Sequence, residues 1–309
     1  MSEPIKQHEI TPHLALLAVQ IFFGSLPVIG KPVLAILPAM SLVGFRVGIT
    51  AAILFLVQAY RKRLWLVQRG DYARLAVLSL FGITFNQMFF IGGLAKTSAA
   101  NTSLLAVTIP IFAIAIGAIL GTERLRTIKV FGIICAAIGV VILIDPRNAS
   151  FSSETTIGDL FIIINSLSFG IYVATSKEII TRNGPFRSMM WVFIFGSLIC
   201  VPVGLFSLSS VDVTAIPWYI WAVVVYIAVG ATAAPYLLNA YALQKVKAST
   251  LAVYIYFQPL IGFLLAVIFL NEQIDAAFVA AALMVFLGVF LATKRFTAAE
   301  PEPGRKTEE

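Results

Sequence analysis

Long apolar runs alternate with short polar or turn-forming segments along almost the whole chain. A helix needs about 20 apolar residues to cross a bilayer's hydrocarbon core. The runs that reach this length are 13–35, 38–58, 74–95, 100–121, 127–145, 157–177, 187–208, 217–240, 248–270 and 276–294. They are too long and too uniformly apolar for barrel strands. The pattern therefore predicts an all-α integral membrane protein with ten transmembrane helices.

The composition agrees with a membrane protein and argues against nucleic-acid, metal and cofactor binding. Hydrophobic residues make up 60% of the chain and charged residues 12%, against about 45–50% and about 25% in soluble domains. The charges lie in short clusters between apolar runs, so we expect no nucleic-acid partner. The only histidines, His8 and His13, lie near the N-terminus, and Cys135 and Cys200 lie inside apolar runs. We therefore expect the cysteines to be small core or lipid-facing residues, and we expect no metal site and no cofactor.

The distribution of Lys and Arg predicts the orientation. If ten helices cross the membrane, 18 of the 22 basic residues fall on the side that holds both termini. The opposite side holds Lys31, Lys96 and Arg147, and Arg46 falls inside the second helix. Because cytoplasmic loops carry the excess of Lys and Arg, both termini are expected to be cytoplasmic. We expect a multi-pass protein of the plasma (inner) membrane.

The second half of the sequence repeats the first. At an offset of 149 residues the halves align over about fifty residues without a gap, and the first helices align at an offset of 146. Matches at Lys, Pro, Glu and Gly are informative, because matches among Leu, Val and Ala arise easily in apolar sequence. They include Lys96 with Lys245, Pro110 with Pro259, Glu123 with Glu272, Gly139 with Gly288, and Phe23-Gly24 with Phe169-Gly170.

This duplication predicts the domain organisation. A cytoplasmic N-terminus, 1–12, precedes a first five-helix repeat, 13–145, and a second, 157–294; a charged tail, 295–309, is expected to be disordered. Five is an odd number, so the two repeats must enter the membrane in opposite directions. Inverted repeats place a pathway at their interface near the bilayer midplane, and rocking of the halves gives alternating access. The expected partner is a small-molecule solute.

The layout resembles the EamA-like family of the drug/metabolite transporter superfamily, which has two five-helix repeats. The residues that carry the resemblance are Phe23-Gly24, Gly93 to Ala100, Pro110, Gly121 to Leu125 and Gly132 to Val140, then Ala240 to Leu243, Gln258-Pro259, Asn271-Glu272 and Gly288-Val289. The likeness covers residues 14–294. It implies a secondary transporter of amino acids and other small metabolites, and we expect an exporter rather than an enzyme.

A membrane-embedded enzyme acting on lipid-linked substrates is the alternative. It would need a nucleophile, a base or a metal site near the membrane. The only histidine in an apolar run, His13, lies at the very start of the first run, and the runs contain no clustered carboxylates. No nucleotide-binding motif is present, so the chain is not expected to use ATP by itself.

Polar side chains inside apolar runs are the candidates for solute binding. They are costly in hydrocarbon and tend to face the bundle interior, where they bind solute or join helices. The candidates are Gln20, Asn86, Gln87, Asn165, Tyr172, Asn239, Tyr256 and Gln258, of which we favour Asn86 and Gln258. Pro110 and Pro259 lie near mid-helix and are expected to kink helices that line the cavity, because proline removes a backbone donor.

Arg46 and the glycine motifs have two interpretations each. Arg46 either binds a carboxylate or phosphate with its planar guanidinium or extends to the membrane surface. Gly44–Gly48 and Gly117–Gly121 both have GxxxG spacing, which permits close helix packing. We favour packing within the fold, and the alternative is a homodimer.

Overall fold

The computed structural model describes residues 7–97, 102, 105–106, 108–122, 126–144, 155–261, 264 and 276–293. Within these ranges the chain forms ten apolar helices and no strand, which confirms the predicted all-α fold. The helices are α1 Gln7–Leu34, α2 Ala39–Tyr60, α3 Gly70–Lys96, α4 Thr108–Ile119, α5 Thr127–Ile144, α6 Thr156–Asn183, α7 Pro185–Leu208, α8 Trp218–Lys245, α9 Ala248–Ile261 and α10 Ala276–Thr293. Five of them, α2, α3, α6, α7 and α8, are each long and apolar enough to cross a membrane.

Turn residues separate consecutive helices. Pro38 immediately precedes α2, and Gly184 joins α6 to α7 with a backbone φ of +82° just before Pro185. Gly121 follows α4 with a φ of +69°, and the amide of Thr122 donates to the carbonyl of Gly117 at 2.9 Å. Glycine adopts this left-handed conformation at little cost. Gly121 therefore belongs to a turn, and the expected close packing at Gly117–Gly121 is wrong for its second glycine, whose Cβ position meets no atom within 4 Å.

Helices from the two repeats pack in equivalent pairs. The second helix of each repeat packs against the other, α2 on α7, and the fifth likewise, α5 on α10. The first helix of each repeat packs against the third and fourth of the other, which gives α1 on α8 and α9, and α6 on α3 and α4. This exchange relates the halves by an approximate two-fold axis.

Glycines allow the closest crossings. A Cβ on Gly44 in α2 would lie 2.9 Å from the carbonyl oxygen of Cys200 and from the Cα of Gly204 in α7. The prediction that Gly44–Gly48 packs within the fold is confirmed. Between α5 and α10, a Cβ on Gly132 would lie 2.7 Å from the carbonyl oxygen of Gly288. These approaches bring backbones together as small residues do in membrane helix pairs.

The repeated Phe-Gly pair also lies at equivalent crossings. A Cβ on Gly24 in α1 would meet Ile261 of α9 at 3.3 Å, and a Cβ on Gly170 in α6 would meet Phe112 of α4 at 2.9 Å. Phe112 and Ile261 are themselves 149 residues apart. The matching Phe-Gly pairs therefore lie at the same helix crossing, which occurs at equivalent places in the two halves.

The outward faces of the helices are apolar. Large side chains that are more than 40% exposed include Phe55, Leu56, Leu198, Phe206 and Leu283 on α2, α7 and α10. Exposed apolar side chains of this kind are what a surrounding bilayer requires. Cys135 and Cys200 are buried and form no disulfide, so of the two expected positions, core and lipid-facing, they occupy the core.

Ionic and hydrogen-bonded contacts join α3 to α6 at both ends. At the end where α3 begins and α6 finishes, here called the basic end because Arg61–Arg63 and Arg182 lie there, Arg182 forms two hydrogen bonds with Asp71 at 2.5 and 3.0 Å. At the opposite end, the hydroxyl of Thr97 donates to Asp159 at 2.6 Å. The two helices therefore run antiparallel as a tied pair.

Candidate functional site: a central polar cavity

Two π-helical segments interrupt α3 and α8 at equivalent positions. They span Leu80–Phe85 in α3 and Val229–Ala233 in α8, and their first residues are 149 apart. A π-helical turn inserts an extra residue and releases backbone carbonyls from regular pairing, and it often occurs at functional sites. Both segments lie at mid-helix, so the released groups must be satisfied inside the protein.

Arg46 of α2 binds the π-helical segment of α8. Its Nε donates to the hydroxyl of Thr232 at 2.9 Å, and its Nη2 donates to the carbonyl of Ala231 at 3.1 Å. One turn along α2, the hydroxyl of Thr50 donates to the carbonyl of Ala228 at 2.9 Å. Arg46 is only 1% exposed. Its guanidinium therefore lies in the protein interior, and the interpretation that it extends to the surface is wrong.

Tyr236 of α8 forms a hydrogen bond with the π-helical segment of α3. Its hydroxyl lies 3.0 Å from the carbonyl oxygen of Gly82 and 2.7 Å from Oδ1 of Asn86. It also accepts a hydrogen bond from Nε2 of Gln87 at 2.7 Å. The amide of Asn165 in α6 donates to the backbone carbonyl of Asn86 at 2.8 Å. These contacts form one buried polar network between the two repeats.

The network borders a small central cavity of about 70 Å³. Its walls are polar on one part and aromatic or aliphatic on the rest. The lining residues are Phe23, Leu26, Arg46, Asn86, Gln87, Phe90, Ala106, Ile109, Asn165, Phe169, Tyr236 and Gln258. This volume is well below the roughly 300–1,000 Å³ of typical small-molecule pockets. A metabolite-sized solute needs a wider form of it.

The structure brings five of the predicted site residues to this cavity: Arg46, Asn86, Gln87, Asn165 and Gln258. Gln20 lies behind them, where its Oε1 accepts a hydrogen bond from Nε2 of Gln258 at 2.9 Å.

Three predicted residues lie elsewhere. Tyr172 and Asn239 border a second cavity of about 10 Å³ that shares Phe169 and Tyr236 with the first. Tyr256 is buried at 1% exposure and lines neither cavity. The solute-binding role of all nine residues stays a prediction.

The two predicted kink prolines lie close to the cavity. Pro110 is buried in α4, one residue after the cavity-lining Ile109, and Pro259 follows Gln258 in α9. Proline leaves the carbonyl four residues earlier without a donor, which for Pro259 is Ile255. At that point α9 changes from α-helix to a 3₁₀ turn, Tyr254–Tyr256. The kinks themselves stay predictions.

Sequence reasoning missed Tyr236 and the aromatic part of the wall. Tyr236 lies in an apolar run that offered several tyrosines, and nothing local distinguishes it. The repeat could have found it, because Tyr236 is 149 residues after the candidate Gln87. Its ring also contacts Phe23 and Phe193 edge-on, at centroid distances of 5.9 and 5.2 Å.

The cavity wall offers hydrogen-bonding groups and aromatic rings. Its lining residues supply one guanidinium, four side-chain amides and a phenol, together with three phenylalanine rings. No carboxylate, histidine, cysteine or lysine is among these lining residues. Within the part of the chain that the structure describes, no cluster of three metal-ligating side chains occurs. The arrangement can bind and release a small solute by hydrogen bonding.

Comparison with known proteins identifies the family. The sequence model of the EamA-like transporter family matches the chain twice, over residues 10–145 and 156–294. The chain belongs to the EamA-like transporter family. The double match confirms the tandem repeat and the resemblance that the sequence motifs indicated. This EamA-like chain is accordingly a multi-pass membrane transporter.

Relatives and a solved structure agree with this assignment. An uncharacterized transporter from Archaeoglobus fulgidus is 26% identical over 227 residues, which cover 73% of this chain and 78% of the relative. The uncharacterized transporter YyaM from Bacillus subtilis is 23% identical over 287 residues, covering 91% and 93%. A crystal structure matches with a TM-score of 0.74 at 18% identity, covering 91% of this EamA-like chain and 96% of its own. The names of these relatives indicate a transporter rather than an enzyme, and the crystal structure shows a shared fold.

Proposed function

We propose that this transporter exports small polar or amphipathic metabolites, such as amino acids, by alternating access between its two inverted repeats. The observation that carries the proposal is the central cavity, whose polar wall joins Asn86 and Gln87 of one repeat to Tyr236 and Gln258 of the other. A solute bound there contacts both halves of the protein, so relative movement of the halves changes its access.

The helix pairing supports two moving units, each built on the third and fourth helices of one repeat together with the first helix of the other repeat. The helices α3, α4 and α6 pack together, and α1 packs with α8 and α9. Contacts at both ends tie α3 to α6. The units meet at the cavity, where Gln87 binds Tyr236. Rocking one unit against the other would open the cavity toward one side of the membrane. The pivot of this movement would lie at the Gln87–Tyr236 contact, or at a solute bound in its place.

The orientation follows from charge. Placing the basic end in the cytoplasm satisfies the excess of Lys and Arg expected of cytoplasmic loops. We propose that both termini lie in the cytoplasm and that the protein resides in the plasma (inner) membrane. Export then corresponds to loading from the basic end.

Transport is tested with purified protein in liposomes. Vesicles loaded with an unlabelled amino acid mixture should accumulate labelled amino acid by counterflow, above the level of protein-free vesicles. Asn86→Ala and Gln258→Ala should each lower the initial rate, because each removes an amide from the cavity wall. Gln68→Ala, at an exposed loop position, is the matched control and should retain the wild-type rate.

The outcomes separate the competing functions. Normal rates in both cavity variants would refute the assignment of the cavity. Chemical conversion of a lipid-linked solute without its translocation would instead favour the membrane-embedded enzyme. In inside-out vesicles the cytoplasmic side of the protein faces the medium, so uptake of solute into these vesicles supports export.

A further inference from the structure

We infer that the solute carries a carboxylate or another oxyanion, which binds the free Nη1 group of Arg46 at the cavity. This inference rests on the proposed transport function and specifies its substrate class. Its consequence is a charge preference: solutes with an oxyanion bind, while amines that lack an acidic group do not.

The guanidinium of Arg46 is fixed but incompletely satisfied. Nε and Nη2 are held by Thr232 and by the carbonyl of Ala231 on α8. Nη1 is buried and has no hydrogen-bond partner, although Arg46 lines the central cavity. A buried polar group without a partner costs free energy, and a buried unpaired charge costs more. A ligand oxygen bound to Nη1 would recover that cost.

No protein carboxylate neutralises this charge within the described residues. The ion pairs found there join Asp71 and Glu178 to Arg74 and Arg182 at the basic end. The groups that do bind Arg46 are a hydroxyl and a backbone carbonyl, which are uncharged. The guanidinium thus presents an uncompensated positive charge in a medium of low dielectric constant, where attraction to an anion is strong.

The geometry favours a ligand with an oxyanion. Two of the guanidinium nitrogens point to α8, so the remaining nitrogen can offer its N–H groups to a ligand oxygen in a fixed direction. The neighbouring amides of Asn86 and Gln258 can bind further polar atoms, and Phe23, Phe90 and Phe169 can contact an apolar body. An amphipathic organic acid matches all three parts of the wall.

A purely structural role for Arg46 makes a different prediction. If the guanidinium only joins α2 to α8, its loss should destabilise the protein and reduce transport of all solutes equally. Thr50 provides the matched control, because it joins the same two helices one turn away through the carbonyl of Ala228. Thr50→Val weakens that junction and leaves the guanidinium in place.

The experiment compares probes that share a carbon skeleton and differ in charge. Thermal shifts of the detergent-purified full chain are measured with leucine, isovalerate, isoamylamine and isoamyl alcohol, with phenylalanine, 3-phenylpropionate and 3-phenylpropylamine, and with inorganic phosphate. Wild type and Thr50→Val should be stabilised by acids and not by the amines or the alcohol. Arg46→Gln should bind the acids about tenfold or more weakly, since a charge-assisted hydrogen bond is lost.

The outcomes decide the inference without depending on any one variant. Stabilisation of the wild type by amines rather than acids, or by none of the oxyanions, would overturn it even if Arg46→Gln fails to fold. Equal acid affinity in Arg46→Gln would also overturn it. Stabilisation by phosphate alone would support an oxyanion site of phosphoryl type. Counterflow of the same probes tests the proposed function separately. If the probes bind through Arg46 but none of them crosses the membrane, transport is refuted and the oxyanion site is still supported.

Discussion

Gln87 and Tyr236 occupy equivalent positions in the two repeats, 149 residues apart, and bind each other through Nε2 and the phenolic oxygen at 2.7 Å. Equivalent positions of two inverted repeats meet at the axis that relates them. This contact therefore marks the approximate two-fold axis at the centre of the protein. The identities differ, an amide against a phenol, so the two halves are not chemically interchangeable there.

Removing the Tyr236 hydroxyl should weaken both structure and transport. Tyr236→Phe leaves Gln87, Asn86 and the carbonyl of Gly82 without their shared partner. We expect the free energy of unfolding to fall by about 1–3 kcal/mol and the counterflow rate to fall with it. Thermal denaturation in detergent measures the first effect. Tyr226→Phe, on the same helix but 47% exposed, should change neither, and equal effects of both substitutions would contradict the central role of Tyr236.

The α2–α7 crossing should not tolerate one extra methyl group. In Gly44→Ala the new Cβ would lie 2.9 Å from backbone atoms of Cys200 and Gly204, so the helices must separate. Overpacking of this kind costs about 1–3 kcal/mol, seen as a lower melting temperature. Gly30→Ala makes the same change where the nearest atom is a side-chain methyl at 3.9 Å. If Gly30→Ala destabilises the protein as much as Gly44→Ala does, overpacking at the α2–α7 crossing is not the cause of the lower melting temperature.

The link between Asp71 and Arg182 should stabilise the basic end. Asp71→Asn removes a carboxylate whose side chain is 2% exposed and which binds both Arg182 and Asn183. We expect a loss of about 1–3 kcal/mol, below the value for a fully buried pair, because the Arg182 side chain is 23% exposed. Glu178→Gln is the control: its side chain is 65% exposed. Its effect in the same denaturation assay should be clearly smaller than that of Asp71→Asn, because exposed ion pairs contribute little to stability.

The inverted arrangement predicts which positions a membrane-impermeant maleimide reaches. Single cysteines replacing Lys62 and Lys247 should be labelled only from the cytoplasmic side, and those replacing Lys96 and Ser209 only from the outside. All four positions are exposed, and the two native cysteines are buried, so background labelling should be low. Labelling of Lys62→Cys and Lys247→Cys from different sides would refute the topology.

Several features of the site were predictable because they follow from the cost of polar groups in an apolar run. That cost predicts an interior position for Asn86, Gln87, Asn165, Gln258 and Arg46, and the fold gathers all five around one cavity. The same rule also selected Tyr256, which lines neither cavity. Polarity alone cannot distinguish a residue that faces a cavity from one buried at a helix crossing.

Length and hydrophobicity along the chain determined the helices, and the 149-residue repeat with an odd number of helices determined their inversion. Both can be read along the chain. The length of an apolar run is compared with the thickness of a bilayer, and an odd number of membrane crossings reverses the direction of the second repeat. The tertiary structure alone decided that α3 and α8 contain π-helical segments and that Tyr236 and Arg46 serve them from the opposite repeat. Those choices depend on contacts between residues more than a hundred positions apart, which no local pattern encodes.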